Sequence, residues 1–228
     1  MQEASPAATD VQVRDLPQVR ATANLLIAVG ILELVYGQWT APPGQLKLDI
    51  MWLAVGLALY FGNAKLIAVI RWMALFAVVP AVVMPVQQLL LAPLELTMVQ
   101  LRLYPAQVLL FFVPLLITAA LVSFVAWRLN SEPVKSVLRA HGRTPAGPVV
   151  PAVLGLLVII GSTAFLHRTL DGPDAAQAAE MAAKRFGTKY KYFTNRLHVV
   201  SNKGTTVYAT VQMWNDHEAL QVPVQWSR

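Results

Sequence analysis

The chain has 228 residues, of which 56% are hydrophobic and 13% are charged, and its formal net charge is +6. This composition excludes an ordinary soluble domain, because such domains carry a larger share of charged residues. Cysteine is absent, which excludes disulfides, thiolate zinc sites, iron–sulfur clusters and thiol nucleophiles. We therefore predict an α-helical polytopic membrane protein.

Residues 1–20 are predicted to form a cytoplasmic tail. Asp10, Asp15 and two arginines precede the first apolar run, and no small-residue cleavage site follows that run. We thus expect the first run to be a retained membrane span and not a signal peptide.

The transmembrane domain is predicted within residues 21–166 and has about five helices. A helix needs about 20 apolar residues to cross the hydrocarbon. The second and fifth runs are shorter, so their ends should lie in the membrane interface. The predicted spans are 21–38, 48–62, 67–91, 107–127 and 149–166.

The distribution of lysine and arginine predicts the orientation. The side richer in these residues faces the cytoplasm, so we place the amino terminus there and the C-terminal tail in the periplasm of a bacterial inner membrane. The odd number of spans places the two termini on opposite sides, and a different division of residues 48–91 into spans could change that number to an even one. One side carries Arg14, Arg20, Lys65, Arg71, Arg128, Lys135, Arg139 and Arg143, and the other carries Lys47 and Arg102.

Three polar residues within the spans are candidates for function. Glu33 is the most unusual, because an ionisable group in a span is costly and often functional. Gln87 and Gln88 are candidate hydrogen-bond partners for it. Pro80 and Pro85 should kink the third span, since each removes a helical hydrogen bond. Glu33 has two alternative roles, as a structural or interfacial group and as an ion, proton or subunit site.

Small residues in the first two spans predict close helix packing. Gly30 and Gly37 lie in the first span, and Gly56 and Ala58 lie in the second. Small side chains allow two helix backbones to approach each other in a membrane.

The loop from Pro93 to Pro105 is predicted to contain a short helix in the membrane interface. Leu94, Met98 and Leu101 recur at helical spacing among charged residues. An ordinary packed connection is the alternative.

Residues 167–173 are predicted to be a linker, and 174–228 a small extracytoplasmic α+β module of one helix and a three-stranded antiparallel meander. Asp174 is the predicted N-cap of the helix, with Gln177 completing a capping box. Gly187 is the predicted C-terminal stop.

Alternation of apolar residues predicts three strands in this module. The turns should lie at 202–204 and 215–218, and Pro223 predicts that the last strand is an edge. The apolar faces are Phe193, Leu197 and Val199; then Val207, Ala209, Val211 and Met213; then Leu220, Val222, Val224 and Trp226.

The opposite face of the sheet is predicted to bind a partner. Aromatic residues interleaved with cations are typical of binding surfaces. The alternative is that these rings lie at the membrane interface or cover the helix. His198 and Thr210 belong to the same face. The predicted partner-binding residues are Tyr190, Tyr192, Arg196, Tyr208 and Trp214.

No catalytic residue, metal site or cofactor is predicted. The sequence lacks serine-hydrolase, P-loop, zincin and dinucleotide-binding motifs. The four histidines, at positions 141, 167, 198 and 217, lie outside the deep parts of the spans, which argues against a bis-histidine haem. Asp216, His217 and Glu218 are interpreted as a solvated turn.

These features favour a non-enzymatic accessory, assembly or scaffold subunit of a larger membrane complex. Its expected partners are the lipid bilayer and a membrane or periplasmic protein, or a second copy of the chain, and no nucleic acid. The alternative is a small transporter or channel that uses Glu33 and the third span. A lipid-modifying enzyme that uses Glu33, Asp49 and Glu95 is a third hypothesis.

Overall fold

The computed structural model describes residues 12–41, 49–201 and 205–227. Three predicted features lie outside these residues: the first part of the N-terminal tail, the cation Lys47 and the turn at 202–204. The helices are α1 (Pro17–Thr40), α2 (Met51–Phe61), α3 (Ala64–Leu91), α4 (Leu94–Leu103), α5 (Pro105–Leu129), α6 (Glu132–Ala140), α7 (Val149–Leu170) and α8 (Pro173–Phe186). The strands are β1 (Lys191–Ser201), β2 (Thr205–Trp214) and β3 (Ala219–Ser227).

Four helices, α1, α3, α5 and α7, are long and apolar enough to cross a membrane. Large apolar side chains lie exposed along them; Leu110 of α5, for example, is 72% exposed. Water would penalise such a surface, whereas lipid tails would solvate it. The predicted membrane class therefore agrees with the helices that the structure shows.

The predicted second span, 48–62, contains a shorter helix than a full crossing needs. Helix α2 has 11 residues, which gives a length of roughly 16 Å at 1.5 Å per residue. The hydrocarbon core is about 30 Å thick. Among the described residues the structure thus shows four helices of crossing length and one shorter apolar helix. A fifth crossing stays a prediction.

Two compact units make up the described chain. The first contains the described residues of Met1–Val79 and Ala119–Gly155, and the second those of Pro80–Thr118 and Leu156–Arg228. The boundaries fall within α3, α5 and α7.

In the first unit, α1 and α2 pack as an antiparallel pair. A Cβ atom added at Gly30 would lie 2.5 Å from the backbone nitrogen of Leu53. One added at Gly56 would lie 2.8 Å from the backbone nitrogen of Ile27. The two backbones therefore approach each other where glycine leaves room, as predicted for these two positions.

The second unit contains α4, α8 and the sheet. Helix α4 confirms the helix predicted within 93–105, and its apolar residues Leu94, Met98 and Leu101 are exposed. The sheet has the order β1-β2-β3 with antiparallel pairing. Pro223 thus lies on an edge strand, as predicted.

The N-cap of helix α8 lies two residues before the predicted one, Asp174. Gly172 is the N-cap and Pro173 the first helical residue, where proline is favoured because its missing N–H needs no partner. Asp174 therefore lies in the first turn, and its predicted N-cap role is wrong. Gly187 ends the helix with a φ of 83°, a conformation that glycine adopts without steric cost.

Candidate functional site

The sheet of the C-terminal module has one face covered by α8. Ala178 and Ala182 of the helix are buried against Ala209 and Val211 of β2. Alanine lets the helix axis approach the sheet closely, so a short helix covers the central strand. We call this surface the helix face, and the opposite surface of the three strands the open face.

A β-bulge at Asn195 changes which residues of β1 lie on each face. The register with β2 shifts between Thr194 and Arg196, so one extra residue is inserted and the alternation changes phase. Tyr192 lies opposite Met213, and Leu197 opposite Ala209. Tyr192 therefore belongs to the helix face.

The predicted alternation of β1 is consequently wrong before the bulge. Phe193 is paired with Gln212 and lies on the open face, not with Leu197 and Val199. Tyr192, predicted on the open face, packs instead beside the helix cluster. The predicted faces of β2 and β3 are confirmed by their register.

Thr194 fixes β1 to α8. Its side chain is buried, and its hydroxyl donates to the carbonyl of Ala175 at 2.8 Å. This bond is available only because the bulge turns Thr194 toward the helix.

We expect Thr194→Val to lower the free energy of unfolding by about 1–2 kcal/mol, because the carbonyl of Ala175 loses a buried donor. Thermal unfolding of the whole protein in detergent would measure this. The matched control is Thr210→Val on the open face, for which we expect a change within about 0.5 kcal/mol. Equal effects of the two substitutions would contradict the role of the Thr194 hydroxyl.

Two of the predicted partner-binding aromatics are buried. Trp214 is 5% exposed and Tyr190 is 9% exposed. The Tyr190 hydroxyl donates to the carboxylate of Glu218. The prediction that Tyr190, Tyr192, Tyr208 and Trp214 share one exposed face is therefore wrong, because the rings of Tyr190 and Trp214 are buried.

The hydroxyl of Tyr192 also has an internal partner. It donates to the carbonyl of Gly187 at 2.5 Å. Burial raises the pKa of Tyr192, so the hydroxyl keeps the proton that it donates. Tyr192 thus ties β1 to the C-terminal end of α8.

Helix α4 approaches the same end of the sheet. Lys191 at the start of β1 forms an ion pair with Glu95 of α4. A cleft of about 520 Å³ is lined by Glu95, Val99, Lys189, Lys191, Trp214, Asn215 and Asp216. Lys191 of this cleft faces the Glu95 carboxylate, and the Lys189 ammonium lies 4.7 Å from the centre of the Tyr190 ring. Hydrogen bonding with Tyr190 raises the pKa of Lys189.

The middle of the open face remains uncovered. Arg196 and His198 are exposed, and Tyr208 is 44% exposed. A groove of about 320 Å³ runs over this region. The structure therefore keeps Arg196 and Tyr208 of the five predicted partner-binding residues on an accessible surface.

The polar residues of the spans lie in separate units. One carboxylate oxygen of Glu33 is buried without a hydrogen-bond partner among the described residues. The carboxylate also forms a hydrogen bond with the Trp52 side chain and lies near the charge of Asp49. Gln87 is buried and Gln88 half-buried in the second unit. Their predicted hydrogen bonding with Glu33 stays a prediction.

The sequence identifies Arg71 of α3 only as one of the cations that predict the orientation in the membrane, but the structure buries it. Its side chain is 2% exposed. The guanidinium donates to Asn130 Oδ1 at 2.6 Å and to the Ala146 carbonyl at 3.0 Å. These partners are 59 and 75 residues away in the sequence, so no local motif could have identified them.

Metal ligands do not cluster in the part of the chain that the structure describes: no group of three histidine or acidic residues could hold an ion. Asp216, His217 and Glu218 belong to a turn organised by Asn215. The Asn215 side-chain oxygen accepts hydrogen bonds from the backbone N–H groups of His217 and Glu218, both at 2.9 Å.

The described architecture is that of an apolar helical protein with a C-terminal α+β module. No protein-family model, curated protein or solved structure matches this chain. Its function must therefore be inferred from its own residues.

Proposed function

We propose that this protein is a non-enzymatic accessory, assembly or scaffold subunit of a larger membrane complex, and that its C-terminal module binds a protein partner. The observation that carries the proposal is the difference between the two faces of the sheet. Helix α8 buries the helix face, whereas the open face presents Arg196, His198 and Tyr208. Aromatic and arginine side chains are enriched where proteins bind each other.

The small size of the C-terminal module favours a role in binding a partner. A single helix on three strands provides little core, and domains of this size are marginal alone. Contacts with α4 on one side and a partner on the other would both add buried surface. The module is therefore better suited to recognition than to enclosing a substrate.

The proposed setting is a bacterial inner membrane, with the amino terminus in the cytoplasm and the module in the periplasm. Its support is the distribution of cations between the connections. Arg128, Lys135, Arg139 and Arg143 lie in or beside one connection, and such clusters favour the cytoplasmic side. This orientation includes α2 as a fifth crossing.

A pull-down from native membranes tests the proposal. We expect the tagged protein, extracted in a gentle detergent, to retain a foreign protein in stoichiometric amount. Tyr208→Ala should reduce that amount by at least about tenfold, because aromatic anchors commonly contribute about 2 kcal/mol or more to binding and about 1.4 kcal/mol already corresponds to tenfold. Sizing and mass spectrometry would measure both quantities.

Lys184→Ala on the exposed side of α8 is the matched control. Lys184 pairs with Glu180 at 2.7 Å, away from the open face. Lys184→Ala should leave the amount of retained partner unchanged. A partner that Tyr208→Ala retains in full would contradict binding through the open face, and the absence of any foreign protein would contradict the accessory role.

One observation favours the transporter or channel alternative. One carboxylate oxygen of Glu33 is buried and has no hydrogen-bond partner among the residues that the structure describes. Such a group is costly in an apolar helix, and ion pathways contain such groups. A homogeneous self-assembly without a foreign protein would favour this alternative. Transport by Glu33→Gln protein in reconstituted vesicles would then be the next measurement.

A further inference from the structure

The groove on the open face is built from two rows of side chains that cross the three strands. Arg196 lies opposite Thr210, which lies opposite Pro223. In the next row His198, Tyr208 and Gln225 are aligned in the same way. All six residues line the groove of about 320 Å³.

Arg196 is a cation without a counter-charge among the described residues. The described ion pairs engage other cations of the module, including Lys184 with Glu180 and Lys191 with Glu95. Arg196 forms none of them. A guanidinium carries only hydrogen-bond donors and matches a carboxylate in geometry, so its natural ligand is an acidic group.

The surroundings of Arg196 favour the same ligand. No aspartate or glutamate occurs among the strand residues whose register places them on the open face. The neighbouring Thr210 hydroxyl and Gln225 amide can donate hydrogen bonds. The imidazole ring of His198 carries a further nitrogen that can donate a hydrogen bond. An acidic group in the groove would therefore meet donors and no like charge.

We propose that the groove binds a carboxylate side chain from an acidic segment of a partner protein, with Arg196 as its ion-pair partner. This inference rests on the proposed function and names the chemistry of the partner. The segment contributes its carboxylate beside Arg196, and the exposed ring of Tyr208 supplies the apolar contact next to it. The partner and the groove are thus complementary in charge.

Peptide binding to the full-length protein in detergent tests this proposal. The probes are a fluorescent peptide that alternates glutamate with threonine and a matched peptide with glutamine in place of glutamate. We expect the glutamate peptide to bind about three- to fivefold more tightly, because an ion pair between exposed side chains contributes up to about 1 kcal/mol. About 0.5 M NaCl should weaken its binding, since salt screens an exposed pair.

The variant Arg196→Gln should remove the preference for the glutamate peptide. Arg185→Gln is the matched control, because Arg185 is an exposed arginine on α8 whose guanidinium lies over the Phe186 ring. It should preserve the preference. Equal thermal midpoints for the two variants would show that both are folded.

Three results with these probes would overturn the inference. They are equal affinity for the two peptides, an unchanged preference in Arg196→Gln, and dependence on Arg196 for binding to phosphatidylglycerol vesicles but not to either peptide. The last result would assign the groove to a lipid surface. A native partner that Arg196→Gln retains but Tyr208→Ala loses would sink this inference while leaving the proposed function intact.

Discussion

Replacing Gly30 by leucine is expected to separate α1 from α2 and to lower the free energy of unfolding by about 3 kcal/mol or more. The added Cβ would lie 2.5 Å from the Leu53 nitrogen and 2.8 Å from its Cα. These are backbone atoms, so no change of rotamer relieves the overlap. Overpacking a well-packed site typically costs about 1–3 kcal/mol, and a clash with backbone should lie at or beyond that limit.

Gly56→Leu should behave in the same way, because its Cβ would meet Ile27 and the Ala23 carbonyl of α1. The control is Gly161→Leu in α7, since nothing lies within 4 Å of a Cβ at that position. Unfolding in mixed micelles with an increasing fraction of dodecyl sulfate, followed by circular dichroism, would compare the three. Similar transitions for Gly30→Leu and Gly161→Leu would show that α1 and α2 can pack without this contact.

Arg71→Met is expected to have the second large effect, a loss of about 2–4 kcal/mol. The substitution removes both hydrogen bonds of the guanidinium and leaves Asn130 Oδ1 and the Ala146 carbonyl without this donor. A buried acceptor without a donor costs about 1–3 kcal/mol. Burying a guanidinium is itself costly, so the loss is smaller than the two acceptors alone would give.

Lys65→Met is the control for Arg71→Met, because Lys65 lies in the same helix and is exposed. It should change stability by less than about 0.5 kcal/mol. A double-mutant cycle with Asn130→Leu would isolate the Arg71–Asn130 pair, and we expect a coupling of about 1–2 kcal/mol. A more stable Arg71→Met protein would mean that burying the charge outweighs its hydrogen bonds.

The features that local sequence predicts well are those set by solvent and by short-range backbone geometry. Long apolar runs identify α3 and α5, because these helices are apolar over most of their length and long enough to cross a membrane. Alternation over 207–213 identifies the buried face of β2, since β2 itself has no inserted residue in its pairing with either neighbour. Gly187 is predictable because few other residues adopt its positive φ.

The bulge at Asn195 could not be predicted by counting alternation. A single inserted residue leaves the composition of β1 unchanged, yet it exchanges the faces of Tyr192 and Phe193. This exchange is the largest difference between the predicted partner-binding face and the observed one. The polar residue Thr194 within the strand is the related feature in the sequence.

The remaining differences arise from contacts between distant segments. Trp214 was predicted to be exposed because its strand neighbours alternate, but the structure buries it at the end of the sheet that Glu95 of α4 approaches. Arg71 has partners far along the chain. Neither the burial of Trp214 nor the partners of Arg71 produce a periodic pattern that a single sequence would show.

The connection between α7 and α8 consists only of Asp171 and Gly172. Two residues span at most about 7 Å, so the module cannot move away from the end of α7 while both helices stay folded. If α7 lies in a bilayer, a partner in that membrane would find the open face by diffusion in two dimensions. Its local concentration would then depend on membrane area, so a weak interaction could suffice for assembly.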